Sequence, residues 1–341
     1  MAAQTRTLTS IAVVTAFADI AAGKPSPFFP LACAFALMSA PLRIAFLGTA
    51  AFAQPCLTAL HKSAHEITRV YTKPPQPAGR GRALRASVID STAQDLGLPL
   101  SHAGRGDALD RVDLADCDLA VVVAFGVLLP PGCLSAPRLG WCLNVHPSLL
   151  PHWRGPAPIE RALLAGESHT GVSLIRLTDT QDAGPIICQQ RRAIESTMTG
   201  PALHDILAQE SAPMLLDALA RIKALTFTEQ DHAAATDAPK ITSADRRLTW
   251  KDATQADRII RTFTPRAWFM HGTERLCAVD AHMIENTSTH RVPGTVLDDA
   301  LTVACARGSI QLKALQRPGR APMTAAAFLR GYRLPPGTVL S

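Results

Sequence analysis

Leu143-Asn144-Val145-His146-Pro147-Ser148-Leu149-Leu150-Pro151 is the stretch on which the reading of this chain turns. It follows an apolar run at residues 119–125 and a shorter one at 141–145, both with the character of buried strands in a parallel sheet. The ligand crevice of such a sheet opens beyond the carboxyl ends of its strands, so Asn144 and His146 are expected to face a substrate there. Strand alternation sends the two side chains to the same side. A carboxamide donates a hydrogen bond and an imidazole, which titrates near neutrality, moves a proton; the pair suits attack on a carbonyl carbon. The spacing by itself fits a turn histidine satisfied by backbone better than a catalytic one.

Outward from this stretch, strand and helix signals alternate. Residues 42–48 read as a first buried strand entering a turn at Gly48-Thr49, 52–63 as a helix and 67–72 as a second strand. Downstream, 158–165 has helical spacing, 171–177 and 185–190 are strands, and 201–225 is an amphipathic helix with Leu203, Ile206, Leu207, Met214, Leu215 and Leu219 on its apolar side. The pattern predicts an α/β domain, a doubly wound and mostly parallel sheet, over residues 41–225. Gly48 is followed by Thr49-Ala50-Ala51-Phe52, so no dinucleotide fingerprint is present and no nicotinamide cofactor is expected. Periodicity fades over residues 226–240, which read as a linker. Residues 241–341 break up into shorter segments. A helix at 253–262 and short strands at 276–279, 294–297, 301–304 and 310–315 predict a small β-barrel of the oligonucleotide-binding (OB-like) type.

Charge is distributed unevenly. The net charge is +6, yet residues 1–240 hold 20 basic and 20 acidic side chains, and residues 241–341 hold 14 and 8. A neutral front and a basic back suggest a catalytic unit followed by one that faces a polyanion. Residues 73–82, Lys73-Pro74-Pro75-Gln76-Pro77-Ala78-Gly79-Arg80-Gly81-Arg82, form a second basic stretch, continued at Arg85. Its prolines and glycines predict a loop without regular structure, able to lie along phosphate backbone. Eight cysteines without a Cys-x-x-Cys pair argue for a reducing compartment and against disulfides. The scattered histidines, 102, 152, 169, 204 and 232, lack ligand spacing, so no metal is expected. No apolar run reaches membrane-spanning length. Residues 1–40 read as an extension outside the fold, with Met38 as an alternative start; a cytoplasmic protein is expected, with a mitochondrial leader as the alternative.

Asn144-x-His146-x-Ser148-Leu149-Leu150-Pro151, then Trp153-Arg154-Gly155, then Asp179-x-x-Asp182-x-Gly184 together resemble the folate-dependent formyltransferases. The resemblance spans residues 41–341 and is densest over 121–187. It implies transfer of a formyl group from 10-formyltetrahydrofolate, without a metal, by Asn144, His146 and Asp182 as catalytic residues. Ser148, Leu149, Leu150 and Pro151 would line the folate site, walled by Phe125, Gly126, Val127 and Leu128. Pro77-Ala78-Gly79-Arg80-Gly81 resembles the inserted loop of the branch that formylates initiator methionyl-tRNA, which implies tRNA contacts from Lys73, Arg80, Arg82 and Arg85, and a monomer. Ala51, Pro147 and His152 depart from that branch's usual pattern; Pro147 also resembles enzymes acting on glycinamide ribonucleotide. A formyltransferase or deformylase acting on a small amine, such as a sugar nucleotide, is the alternative. A non-enzymatic RNA-binding protein is the third reading, and the intact Asn144, His146 and Asp182 set speaks against it.

Overall fold

A computed structural model describes residues 40–78, 83–104, 112–284 and 291–341. Residues 1–39 of the expected extension, and with them Met38, lie outside the described residues, as do Arg80 and Arg82. The first half of the chain runs β1 (Arg43–Gly48), α1 (Gln54–His61), β2 (Glu66–Thr72), β3 (Gln76–Ala78), β4 (Ala83–Arg85), α2 (Val88–Asp95), β5 (Leu100–His102), β6 (Leu119–Val123), α3 (Pro131–Leu134), β7 (Cys142–His146), α4 (Pro158–Ala165), β8 (His169–Arg176), β9 (Ile186–Ala193) and α5 (Gly200–Ala220).

Among the described residues, seven of these strands form one sheet in the order β5-β2-β1-β6-β7-β8-β9. Pairing is parallel from β5 to β7 and antiparallel at β7-β8 and β8-β9. The strand order reverses at β1, which has β2 on one side and β6 on the other, so the crevice at this switch point lies beyond Gly48 and Val123. Alternation divides the apolar residues between two cores. Ile44, Phe46, Val121, Val123, Leu143 and Val145 pack with Leu57 of α1 and Leu203, Leu207 and Leu215 of α5. Ala45, Leu47, Ala120, Val122 and Cys142 face the other way, onto Phe125 and the segment carrying Val112, Leu114 and Cys117.

The antiparallel edge departs from simple strand-helix alternation. α4 has eight residues and packs against α5 and a helix of the C-terminal half rather than crossing the sheet, so β8 starts beside the end of β7 and runs back along it. The basic stretch after Lys73 is likewise more regular than its prolines suggest. β3 and β4 make a two-stranded ribbon with Pro77 opposite Leu84. Each strand of a ribbon has one open edge, and an edge strand is where a proline is tolerated.

The C-terminal half contains α6 (Ala253–Phe263), β10 (Ala267–His271), β11 (Glu274–Ile284), β12 (Thr302–Ala304), β13 (Ser309–Gln316), β14 (Met323–Thr324) and α7 (Ala325–Gly331). Its strands pair antiparallel in the order β10-β11-β13-β12, with β14 on β13, curled into a half-barrel. Ile259, Ile260 and Phe263 of α6 and Phe328 of α7 fill its concave side with Phe269, Leu276 and Leu312. The strand expected at 294–297 is reduced to isolated bridges from Thr295 to Val339 and Val296 to Val303, because the backbone of this segment is shared between two partners.

The halves are joined by directed polar contacts. Arg161 of α4 donates to Asp245 Oδ1 at 2.7 Å, Arg258 to Ala165 O at 3.2 Å and Arg261 to Met198 O at 2.7 Å. The Arg161 hydrogen bond, helped by those from Thr242, pulls the Asp245 carboxyl down to about 2. Its folded value thus lies below the unfolded value of about 3.9, so the pair's contribution is present above that pH and is lost as pH falls through about 2. Asp245→Asn is expected to lower stability at pH 7 by about 1 kcal/mol, with the gap closing toward pH 2. Denaturant titration of both proteins across that range checks this; a gap independent of pH would remove the carboxylate from the explanation.

Candidate active site

β7 ends beside β6, one strand over from the switch point, and its alternation decides the site. Leu143 and Val145 point into the helix-covered core; Asn144 and His146 share the other face with Cys142, which loops cover. Asn144 is 8% exposed and its amide has no hydrogen-bond partner among the described residues. His146 is 4% exposed and held at both nitrogens: Nε2 lies 2.9 Å from Trp153 O and Nδ1 lies 3.6 Å from Asp182 Oδ1. A carbonyl only accepts, so Nε2 carries a proton there. The Cys142 thiol, pushed up to about 12 by burial, supplies no thiolate nucleophile at neutral pH.

Two loops hold His146 in place. The first, after β7, bends at Ser148, whose hydroxyl donates to His152 O at 2.6 Å, while Ser173 of β8 donates to Ser148 O and accepts from Leu150 N. Gln189 of β9 donates to Leu150 O at 2.8 Å. The second loop carries Asp182, at φ 52, and Gly155 N of the first loop donates to its Oδ2 at 2.9 Å. Together these bonds fix one carboxylate oxygen on backbone and leave the other toward the imidazole.

On the neighbouring strand, β6 runs into Ala124 and Gly126, both left-handed at φ 45 and 69. Thr49 Oγ1 donates to Phe125 O and Ala50 N to Ala124 O, tying the β1 and β6 mouths together. A Cβ on Gly126 would lie 2.6 Å from Lys73 Nζ, which places the Lys73 ammonium against this turn at the crevice. Of the expected wall residues, Phe125 buries its ring in the core and offers backbone, Val127 packs partly on that core, and Leu128 is 70% exposed at the mouth. Ser148 and Leu150 are buried; Leu149 packs on Gly171, and Pro151 is half-buried. Arg85 is exposed on β4. The structure therefore brings Asn144, His146 and Asp182 together with the 124–128 turn and Lys73, while Arg85 stands apart on the ribbon.

Comparison with known proteins bears directly on this geometry. The family model described as formyl transferase matches residues 42–219, and that described as formyl transferase, C-terminal domain, matches residues 240–333. The chain belongs to the formyl transferase family. It is 43% identical over 305 residues to the methionyl-tRNA formyltransferase of Ruegeria pomeroyi, covering 88% of this chain and 100% of that one. With the methionyl-tRNA formyltransferase of Caulobacter vibrioides identity is 43% over 309 residues, again covering 88% and 100%. Among solved structures, WlaRD, a sugar 3N-formyl transferase in the presence of dTDP and 5-N-formyl-THF, superposes with a TM-score of 0.57 at 14% identity, over 82% of this chain and 99% of that one. HypX of Aquifex aeolicus in complex with tetrahydrofolic acid does so with a TM-score of 0.57 at 17% identity, over 85% and 47%.

One part of this formyl transferase's site is not legible in the motifs. Gln230, in the stretch read as a linker, is buried and donates to Asp182 O at 2.8 Å and Gly184 O at 2.7 Å while accepting from Arg154. The same stretch pairs Thr228 with Ile186 and Asp237 with Arg154, and Thr236 Oγ1 accepts from Trp153 N. Periodicity could not reveal these contacts, because each residue is held by a different partner far away in sequence.

Proposed function

We propose that this chain transfers the formyl group of 10-formyltetrahydrofolate to the amino group of methionyl initiator tRNA. The observation that carries the reading is the nearly buried Asn144 amide, without a hydrogen-bond partner among the described residues, near the His146–Asp182 pair at the carboxyl end of β7, one strand from the switch point. Names of relatives at 43% identity over their full length support the acceptor.

In this reading 10-formyltetrahydrofolate supplies the one-carbon unit at the formyl level. The residues fit such a group: the left-handed turn at Ala124 and Gly126 is exposed beside the apolar Leu128, offering polar backbone and an apolar side chain of the kind that the polar edge and flat face of a pterin require. Asn144 donates to the formyl oxygen as the methionyl amine adds to the carbon and negative charge develops there, an effect of about 3–4 kcal/mol for comparable donors. His146, already protonated at Nε2, accepts at Nδ1 the proton released by the amine and returns it to the folate nitrogen as the carbon–nitrogen bond on that side breaks. Asp182, anchored on Gly155 N, orients the imidazole. The new amide and the folate amine leave with all protons accounted for.

The division of labour proposed is a catalytic unit over residues 41–225, a connector at 226–240 and a tRNA-facing unit over 241–341. A cleft of about 480 Å³ in the last unit supports the polyanion: Arg246, Arg266, Arg275 and Arg317 line it, and Arg275 and Arg247 stack on Trp268 at 4.2 and 5.5 Å. Arg317 is neutralised by Glu274. Lys73 extends the basic surface at the crevice and Arg85 does so on the neighbouring ribbon, with Arg80 and Arg82 proposed from the sequence alone. A monomer is proposed on the resemblance alone. Free thiols and bacterial relatives support a bacterial-type cytoplasm.

The test is transfer of labelled formyl from 10-formyltetrahydrofolate to charged initiator methionyl-tRNA. Arg266→Glu together with Arg275→Glu is expected to raise KM for tRNA about tenfold or more and to lower the slope of log KM against log salt by about 1 per lost phosphate contact. Formylation of a small amine, with no transfer to tRNA, would retain the chemistry and overturn the acceptor.

A further inference from the structure

We infer that Gln230, in the connector between the two halves, is a positioning residue for formyl transfer, acting by holding the Asp182 loop against His146; the inference rests on the function proposed above. All four hydrogen-bonding positions of its amide are used. Nε2 donates to Asp182 O at 2.8 Å and Gly184 O at 2.7 Å, and Oε1 accepts from Arg154 Nε at 3.1 Å and Nη2 at 2.6 Å. The amide has one orientation only, since a flip would set its NH₂ against a guanidinium and its oxygen against two carbonyls.

The anchored groups are those that frame the imidazole. Trp153 O, next to Arg154, faces His146 Nε2, and Gly155 N holds Asp182 Oδ2. Asp182 sits at φ 52, a conformation a non-glycine residue keeps only where its surroundings impose it. One buried amide therefore stitches the 153–155 loop to the 182–184 loop from behind, with the imidazole between them. The connector backbone is itself fixed, by Arg154 N to Thr236 O at 2.8 Å, Ala238 N to Arg154 O at 2.6 Å and the paired bonds between Thr228 and Ile186. Gln230 reaches neither Asn144 nor the crevice mouth in its hydrogen bonding, so its loss should alter the reacting geometry rather than substrate affinity.

The experiment uses the full chain with Gln230→Glu, which keeps the acceptor for Arg154 but turns an acceptor toward the two carbonyls, and with Gln230→Met, which removes all four bonds at similar volume. Asp182→Asn is made alone and with Gln230→Glu, and steady-state formyl transfer and thermal melting are measured for each. Gln230→Glu is expected to lower kcat about 100-fold, the scale set by about 1 Å of misplacement. KM for folate and tRNA should stay within about twofold and melting should be little changed. In the Asp182→Asn background the same change should cost little more, since both act on one carboxylate. Retained kcat in Gln230→Glu and Gln230→Met, fully additive losses with Asp182→Asn, or a fall in kcat that follows melting would each overturn the inference. An inactive wild type would instead overturn the proposed function.

Discussion

His146→Ala is expected to slow formyl transfer by about 10²–10⁴ at saturating folate and tRNA, the range removed when a positioned general acid–base is lost. The imidazole is 4% exposed and sits between Trp153 O and Asp182, so alanine removes the proton carrier and leaves Asp182 with no ring to orient. Asn144→Ala removes a donor without disturbing any other protein group, because its amide bonds to none among the described residues, and is expected to cost about 10²–10³ in kcat. The two groups act on different atoms of the transition state, so the double variant should be slower than His146→Ala by up to about the Asn144→Ala factor. Single-turnover transfer to pre-charged tRNA isolates the chemical step. A His146→Ala enzyme within a few-fold of wild type would exclude the imidazole from proton transfer.

Gly184→Ala is expected to disable the protein from a different direction. A Cβ there would lie 1.8 Å from Arg176 O and 3.3 Å from Thr178 Cγ2. The first obstacle is backbone in β8, which no rotamer change relieves, so the Asp182–Gly184 turn must move away from the sheet. Its carbonyl then leaves Gln230, and Asp182 leaves His146. The expected loss is about 3 kcal/mol or more of stability, within the range for overpacking combined with broken buried hydrogen bonds. Urea titration reads the stability and the transfer assay reads the activity. Wild-type behaviour in both would mean that the turn does not lie against β8 as described.

These two residues differ in how they could be found. His146 stands in a sequence pattern that carries its own meaning: an apolar strand, two polar residues one apart, then a bend at Pro147 and Pro151. Gly184 follows Asp182 in a motif, yet its reason for being glycine is the approach of Arg176 O from another strand. The helices at 158–165 and 253–263 were legible because each has its own apolar face and, for α6, an Asp252 cap. β10 was not: Ala267–His271 owes its strand form to pairing with β11, while the prolines before β3 pointed to a loop that the β4 partner overrode.

By itself the sequence determined the class of the sheet and placed Asn144 and His146 on one face of the strand proposed to bear the chemistry, because alternation is a local property of the chain; Asp182 came from the resemblance to the formyltransferases. Only the tertiary structure decided which strands are neighbours, that the order reverses at β1, that β8 runs antiparallel, and that the connector through Gln230 closes the back of the site. Those features depend on hydrogen bonds between groups far apart in sequence. Arg154 and Gln230 lie 76 residues apart, and each leaves no periodic trace until the chain has folded around the other.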